Sequence, residues 1–152
     1  MELTVFFTVL SGVFTFVTGQ IIVKLIVDPV NDMKKTIGQI SHTLIERAAI
    51  IGNPGLSEME VMLGTSEELR ALSSKLQAHL YLVPKYSITA RIFRLPTFKQ
   101  VSDASTELIG LSNSVFRSTP DVYEVNAKRV EKICDSLSIY LPPERRWPKD
   151  NQ

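Results

Sequence analysis

LTVFFTVLSGVFTFVTGQIIV, from Leu3 to Val23, is an apolar run of about 21 residues without a formal charge. Wound as a helix at about 1.5 Å per residue, it matches the roughly 30 Å hydrocarbon core of a bilayer. The run predicts a single transmembrane helix, with residues 1–27 as an anchor. A secretory signal is the competing reading, but it needs a basic n-region, a shorter apolar core and a small-x-small cleavage site. Only Met1 and Glu2 precede the run here, which favours an uncleaved anchor.

The flanking charges give an orientation. Glu2 lies before the run, whereas Lys24, Lys34, Lys35 and Arg47 follow it, so the positive-inside bias places the N-terminus outside and the rest of the chain in the cytoplasm. Because these charges are few, the reversed topology is the alternative. Lys24 stands where a long stem can lift its ammonium into the headgroups. Within the run, Thr4, Thr8, Ser11, Thr15 and Thr18 follow one another at spacings of 4, 3, 4 and 3, which aligns them on one stripe of a helix. In lipid, close approach of small residues and interhelical hydrogen bonds drive helix association, so the stripe reads as a self-association seam. The competing reading is that each hydroxyl bonds its own i−4 carbonyl.

Beyond the anchor, the predicted fold class is all-α: a cytoplasmic bundle of about four helices over residues 28–141, then a polar tail over 142–152 with Trp147 as a docking contact. Asp28-Pro29 is a helix-start signal, unless the anchor simply runs on through it. Val30, Met33, Ile37, Ile40 and Leu44 then mark an amphipathic helix of about 23 residues, closed by Gly52-Asn53-Pro54-Gly55. Ser57 with Glu60 and Thr65 with Glu68 are capping-box pairs; the second is expected to open a helix carrying Leu69, Leu72, Leu76 and Leu80, stopped by Pro84. Lys85 to Leu95 alternates as a strand would, yet no second strand offers itself, so a short helix is expected. Thr97 and Gln100 form a further capping box ahead of Val101, Ala104, Leu108, Leu111 and Val115. Thr119-Pro120 starts a last helix with Val122, Asn126, Val130, Ile133, Leu137 and Tyr140 on one stripe.

Composition excludes more than it assigns. With 17 basic and 16 acidic side chains, the net charge of +1 does not suggest a nucleic-acid partner. Cys134 is the sole cysteine, so an intramolecular disulfide is impossible, and it reads as a small apolar residue on a helix face. His42 and His79 have no companions at metal-ligand spacing and read as surface histidines; no metal or cofactor is expected. Catalytic motifs are absent, which argues against an enzyme.

One local feature rises above this background. No acidic residue occurs between Glu68 and Asp103, while Arg70, Lys75, Lys85, Arg91, Arg94 and Lys99 are interleaved with Tyr81, Tyr86, Phe93 and Phe98. Such a segment can contact anionic lipid headgroups or grip a phosphate ligand by bidentate bonds and stacking. The plain alternative is pairing with Glu58, Glu60, Glu67 or Asp103 on neighbouring helices.

KTIGQISHTLIERAAIIGNPG, ELRALSSKLQAHLYLVPKY and ASTELIGLSNSVF, within Leu25 to Phe116, resemble a group of small uncharacterised bacterial proteins with one N-terminal membrane helix and a helical cytoplasmic domain. The resemblance implies that architecture and a bacterial inner-membrane setting; it implies no activity. The expected function is a membrane-anchored, non-enzymatic protein that self-associates as a homo-oligomer and binds a protein partner or organises a membrane complex. The alternative is a ligand-gated effector that senses a phosphate-bearing molecule and perturbs the bilayer.

Overall fold

Proline lacks the N–H that a helix needs four residues downstream of each carbonyl, and its ring crowds that carbonyl. Pro29 nevertheless does not interrupt this chain. In the computed structural model, which describes residues 2–146, helix α1 (Glu2–Ile22) passes through a π-helical turn (Val23–Val27) into α2 (Asp28–Glu46). The Asp28 N–H reaches back five residues to the Val23 carbonyl, and this wider turn precedes the proline that cannot bond Leu25. Asp28 therefore does not cap a new helix; its carboxylate instead lies 3.2 Å from the Lys24 ammonium. The result is one helix of 45 residues, about 67 Å long. Its N-terminal part is long and apolar enough to cross a membrane, and none of α1 is buried.

The single helix expected over residues 30–52 divides at Arg47 into α2 and α3 (Ala48–Gly52). Arg47 leaves helical geometry at φ −92° and ψ 11°, and its guanidinium Nε lies 3.2 Å from Glu68 on the facing helix. Helix α4 (Met59–Leu82) starts earlier than the capping-box spacing suggests. Thr65 sits inside it, bonding the Val61 carbonyl, and Glu68 receives the Thr43 hydroxyl instead of closing a box. Packing of Met62 and Leu69 on either side of Gly64 outweighs the roughly 1 kcal/mol that a helical glycine costs.

Lys85 to Leu95 resolves as a helix, α5 (Tyr86–Phe93), bracketed by Lys85 and Arg94 in left-handed conformations at φ 44° and 53°. Helix α6 (Phe98–Ser114) has the expected cap in full: the Gln100 backbone N–H bonds the Thr97 hydroxyl, and the Gln100 side-chain Oε1 accepts the Thr97 N–H at 2.7 Å. Helix α7 (Val122–Leu137) begins after Asp121, with Thr119 supplying a backbone carbonyl instead of a side-chain cap. Ser138, at φ 57°, ends α7 before Tyr140, which is consequently exposed rather than on the core stripe. A 3₁₀ turn over Pro143–Arg145 follows. Trp147 lies outside the described residues.

Cross-helix bonds set the register. His79 meets Thr36, Lys75 meets Gln39 and Glu68 meets Thr43, so α4 runs antiparallel to α2 and returns toward the apolar helix. Ser73 and Ser105, with hydroxyl oxygens 2.7 Å apart, join α4 to an antiparallel α6, and α7 runs back along α6 through Ser114 and Asn126. The α3–α4 connection closes the far end: the Gly55 N–H bonds the Val115 carbonyl at 2.9 Å, and at φ 77° a side chain there would press on Ser118 and Arg117. The predicted apolar stripes of α2, α4 and α6 converge on one core, with Met33, Ile40, Leu69, Leu76, Leu108 and Leu111 fully buried.

Candidate functional site: a basic and apolar end face

The antiparallel register brings the end of α4, all of α5 and the start of α6 to the end of the bundle from which the apolar helix departs. Tyr86 fixes this placement. Its hydroxyl donates to the Pro96 carbonyl at 2.7 Å and lies 3.6 Å from the Met33 sulfur. Met33 is six residues past Val27, or about 9 Å along the helix axis. Val30, another turn nearer the apolar run, is 1% exposed.

Helix α5 is thereby split into two faces. Tyr86, Thr89 and Ala90 are buried, with the Thr89 hydroxyl bonding the Pro84 carbonyl at 2.7 Å. Ile88 and Ile92, one turn apart on the opposite side, are 58% and 70% exposed. Leu82 and Phe98, at the adjoining ends of α4 and α6, are exposed as well.

The six basic residues of the acid-free segment divide into two groups. Arg70 and Lys75 face other helices: Arg70 donates to Asn113 at 2.6 Å and to Ser112, and Lys75 to Gln39 at 3.0 Å. Lys85, Arg91, Arg94 and Lys99 cluster around α5, and among the described residues none has an ion pair with the carboxylates of Glu58, Glu60, Glu67 or Asp103. Residues 24–35 and 85–99 together hold seven lysines and arginines against Asp28 and Asp32, which already meet Lys24 and Lys35. The end face is therefore strongly cationic. From sequence, Ile88 and Ile92 read only as members of a strand-like alternation with Tyr86 and Ala90 and not as site residues; their i, i+4 spacing opposite Tyr86 and Ala90 is the signal that finds them once the segment is known to be helical.

Directly behind this face His79 is 5% exposed, not at the surface as expected, and burial lowers its pKa, with Asp32 opposing and Lys75 reinforcing the shift. His42 is exposed beside Glu46. Burial also raises the Tyr86 phenol to about 12. His79 Nε2 lies 2.9 Å from the Thr36 hydroxyl, and both side chains are buried.

A separate apolar groove of about 860 Å³ lies between α2–α3 and α7, with Leu44, Ile51, Val130, Cys134 and Ile139 in its walls. Cys134 is buried on its helix face as expected, and burial pushes its thiol up to about 11, so it is a wall element and not a nucleophile. No histidine lines the groove among the described residues.

On α1, the seam residues Thr4, Thr8, Ser11, Thr15 and Thr18 are all exposed. The Thr8 hydroxyl donates to the Thr4 carbonyl at 2.8 Å, which is the i−4 bond that the competing reading of the stripe expects. Comparison with known proteins gives no matching family model, no matching curated protein and no matching solved structure.

Proposed function

We propose that the chain is a single-pass protein of the bacterial inner membrane, N-terminus outside and helical domain in the cytoplasm, which self-associates and binds a protein partner or organises a membrane complex without catalysing a reaction. The observation that carries this reading is the unbroken 45-residue helix that is both the apolar segment and the first helix of the bundle. A helix that continues from the anchor into the domain couples the spacing and rotation of associated anchors to the domains they carry. The excess of Lys and Arg after the apolar run supports the orientation. The exposed hydroxyl stripe on α1 supports association, since small polar side chains allow close approach and cross-helix bonds in lipid.

Crosslinking of the full chain in native membranes, followed by sizing in mild detergent, tests the reading. We expect the intact N-terminus to sediment with membranes and an oligomer that shrinks when Thr8→Leu, Ser11→Leu and Thr15→Leu are combined. An unchanged size distribution removes self-association through this seam, and a soluble or N-terminally shortened product removes the anchor.

A further inference from the structure

We infer that the outer face of α5 is a lipid-docking surface that seats the bundle on an anionic bilayer leaflet, with Ile88 and Ile92 entering the headgroup layer and Lys85, Arg91, Arg94 and Lys99 contacting lipid phosphates. This inference rests on the reading of α1 as a membrane span and specifies how the domain lies against the same membrane.

Three observations converge on lipid as the occupant. The first is position: the face sits at the end of the bundle where the apolar helix leaves it, at the level of Met33, within about 15 Å of Val23 along the axis. A leaflet spanned by α1 meets this end first. The second is charge: the four cations have no carboxylate partner among the described residues, and Asp28 and Asp32 are already occupied by other lysines. The negative surface of a cytoplasmic leaflet supplies the missing counter-charge. The third is the mixture of residue types. Isoleucines one turn apart, flanked by Lys and Arg on an eight-residue helix, suit a helix lying in the interface plane, its apolar side in the acyl boundary and its cationic stems reaching phosphates. An aqueous face would leave Ile88 and Ile92 in water without compensation; a free phosphate ligand would leave them unexplained.

Helix α5 is also built to hold that pose. Its inner side is anchored by Tyr86 to Pro96 and by Thr89 to Pro84, and both flanking residues with left-handed backbone, Lys85 and Arg94, are basic. The face is thus presented by a fixed element rather than by a loose loop.

The test uses the full chain in nanodiscs, with Cys134→Ala as background and single labelling sites at Ile92→Cys, at Glu60→Cys on the remote end of α4, and at Val13→Cys in the anchor. Spin-label accessibility to an aqueous nickel quencher and to oxygen is read in phosphatidylcholine alone and with phosphatidylglycerol added. Docking predicts that the Ile92 site becomes shielded from nickel and accessible to oxygen when anionic lipid is present, while the Glu60 site stays open to water. Each basic contact is worth about fivefold in the docked-to-undocked ratio, so Arg91→Gln with Arg94→Gln should restore water access by more than tenfold at low salt. Equal nickel access at Ile92 and Glu60 in anionic discs overturns the proposal, and so does shielding that is the same in neutral lipid. A lipid-embedded Val13 site in those same discs leaves the anchor standing when docking fails; a water-exposed Val13 site removes the anchor and the docking together.

Discussion

Thr36 and His79 meet in the buried seam between α2 and α4, with hydroxyl oxygen and ring Nε2 2.9 Å apart. The Thr36 hydroxyl has one proton, and the Asp32 carbonyl stands 3.0 Å from it as an acceptor. If the hydroxyl donates to that carbonyl, the imidazole must carry its proton on Nε2 and donate to Thr36, which leaves Nδ1 as a bare acceptor. Nδ1 is buried without a partner among the described residues.

This arrangement makes the helical domain acid-sensitive. Burial holds the His79 pKa below 6.5, so above that value the ring is neutral in both folded and unfolded chains. As pH falls through 6.5 the unfolded chain takes up a proton that the folded one resists, and stability is lost until the lowered native pKa is passed. Asp32 and Lys75 face the ring with opposing effects, so neither cancels the burial cost. We expect the melting temperature of the full chain in detergent to fall between pH 7 and pH 5, and His79→Gln to flatten that slope. Equal slopes for the two proteins would exclude His79 as the titrating group.

Tyr86 gives the opposite sign at the other end of the scale. Its phenol is held neutral up to about 12 because the charged form would be buried against Met33 and Pro96. The stabilisation is complete below the ordinary phenol value near 10 and disappears as pH rises through 12. Tyr86→Phe removes the bond to Pro96 at a cost of about 1 kcal/mol and should loosen α5 without unfolding the bundle. Amide exchange in residues 86–93 is the measure; unchanged exchange there would show that the hydroxyl does not hold α5.

The helical core was legible because period-3.6 stripes are a strong signal: Leu69, Leu76, Leu108 and Leu111 are where their spacing puts them. What failed was local and polar. Capping-box spacing at Thr65 and Glu68 is matched by chance inside a helix whose start is fixed by tertiary packing. His79 reads as surface in isolation because only the register of α4 against α2 brings Thr36 to it. The hydroxyls of Ser105 and Ser112 on α6 are buried for the same reason, since small side chains let α4 approach closely. Two of the six candidate basic residues, Arg70 and Lys75, bond to other helices several turns of α4 away from α5, a separation that linear proximity to the acid-free segment does not reveal.

Asn126 is the clearest polar exception on an apolar stripe. Fully buried, it accepts from the Ser114 hydroxyl at 2.6 Å and donates to the Ile51 carbonyl at 2.9 Å, tying α7 to α6 and α3. Asn126→Leu keeps the volume but strands the Ile51 carbonyl, at a cost of about 1–3 kcal/mol in chemical denaturation. Ser114 can turn its proton to the Leu111 carbonyl at 2.9 Å, so Ser114→Ala should cost less, and the double variant should cost less than the two singles combined. Additive losses would mean that the two side chains do not act as a unit.

Arg146 closes the segment that covers Cys134. Its guanidinium bonds Glu131 at 2.8 Å and Asp135 at 2.7 Å, holding the stretch after α7 against that helix, and these carboxylates raise its own pKa. Ile139 and Leu141, which pack on the core beside Cys134, lie in the stretch so held. A thiol at about 11 is ionised in roughly one molecule in a thousand at pH 8, so native alkylation must wait for the segment to open. Ion pairs of a solvated guanidinium contribute little to stability, and Arg146→Ala should leave global stability nearly unchanged while measurably speeding alkylation of Cys134. Mass spectrometry of timed iodoacetamide reactions, run beside a denaturation curve, separates local opening from unfolding: acceleration in proportion to lost global stability would rule out a local latch at Arg146.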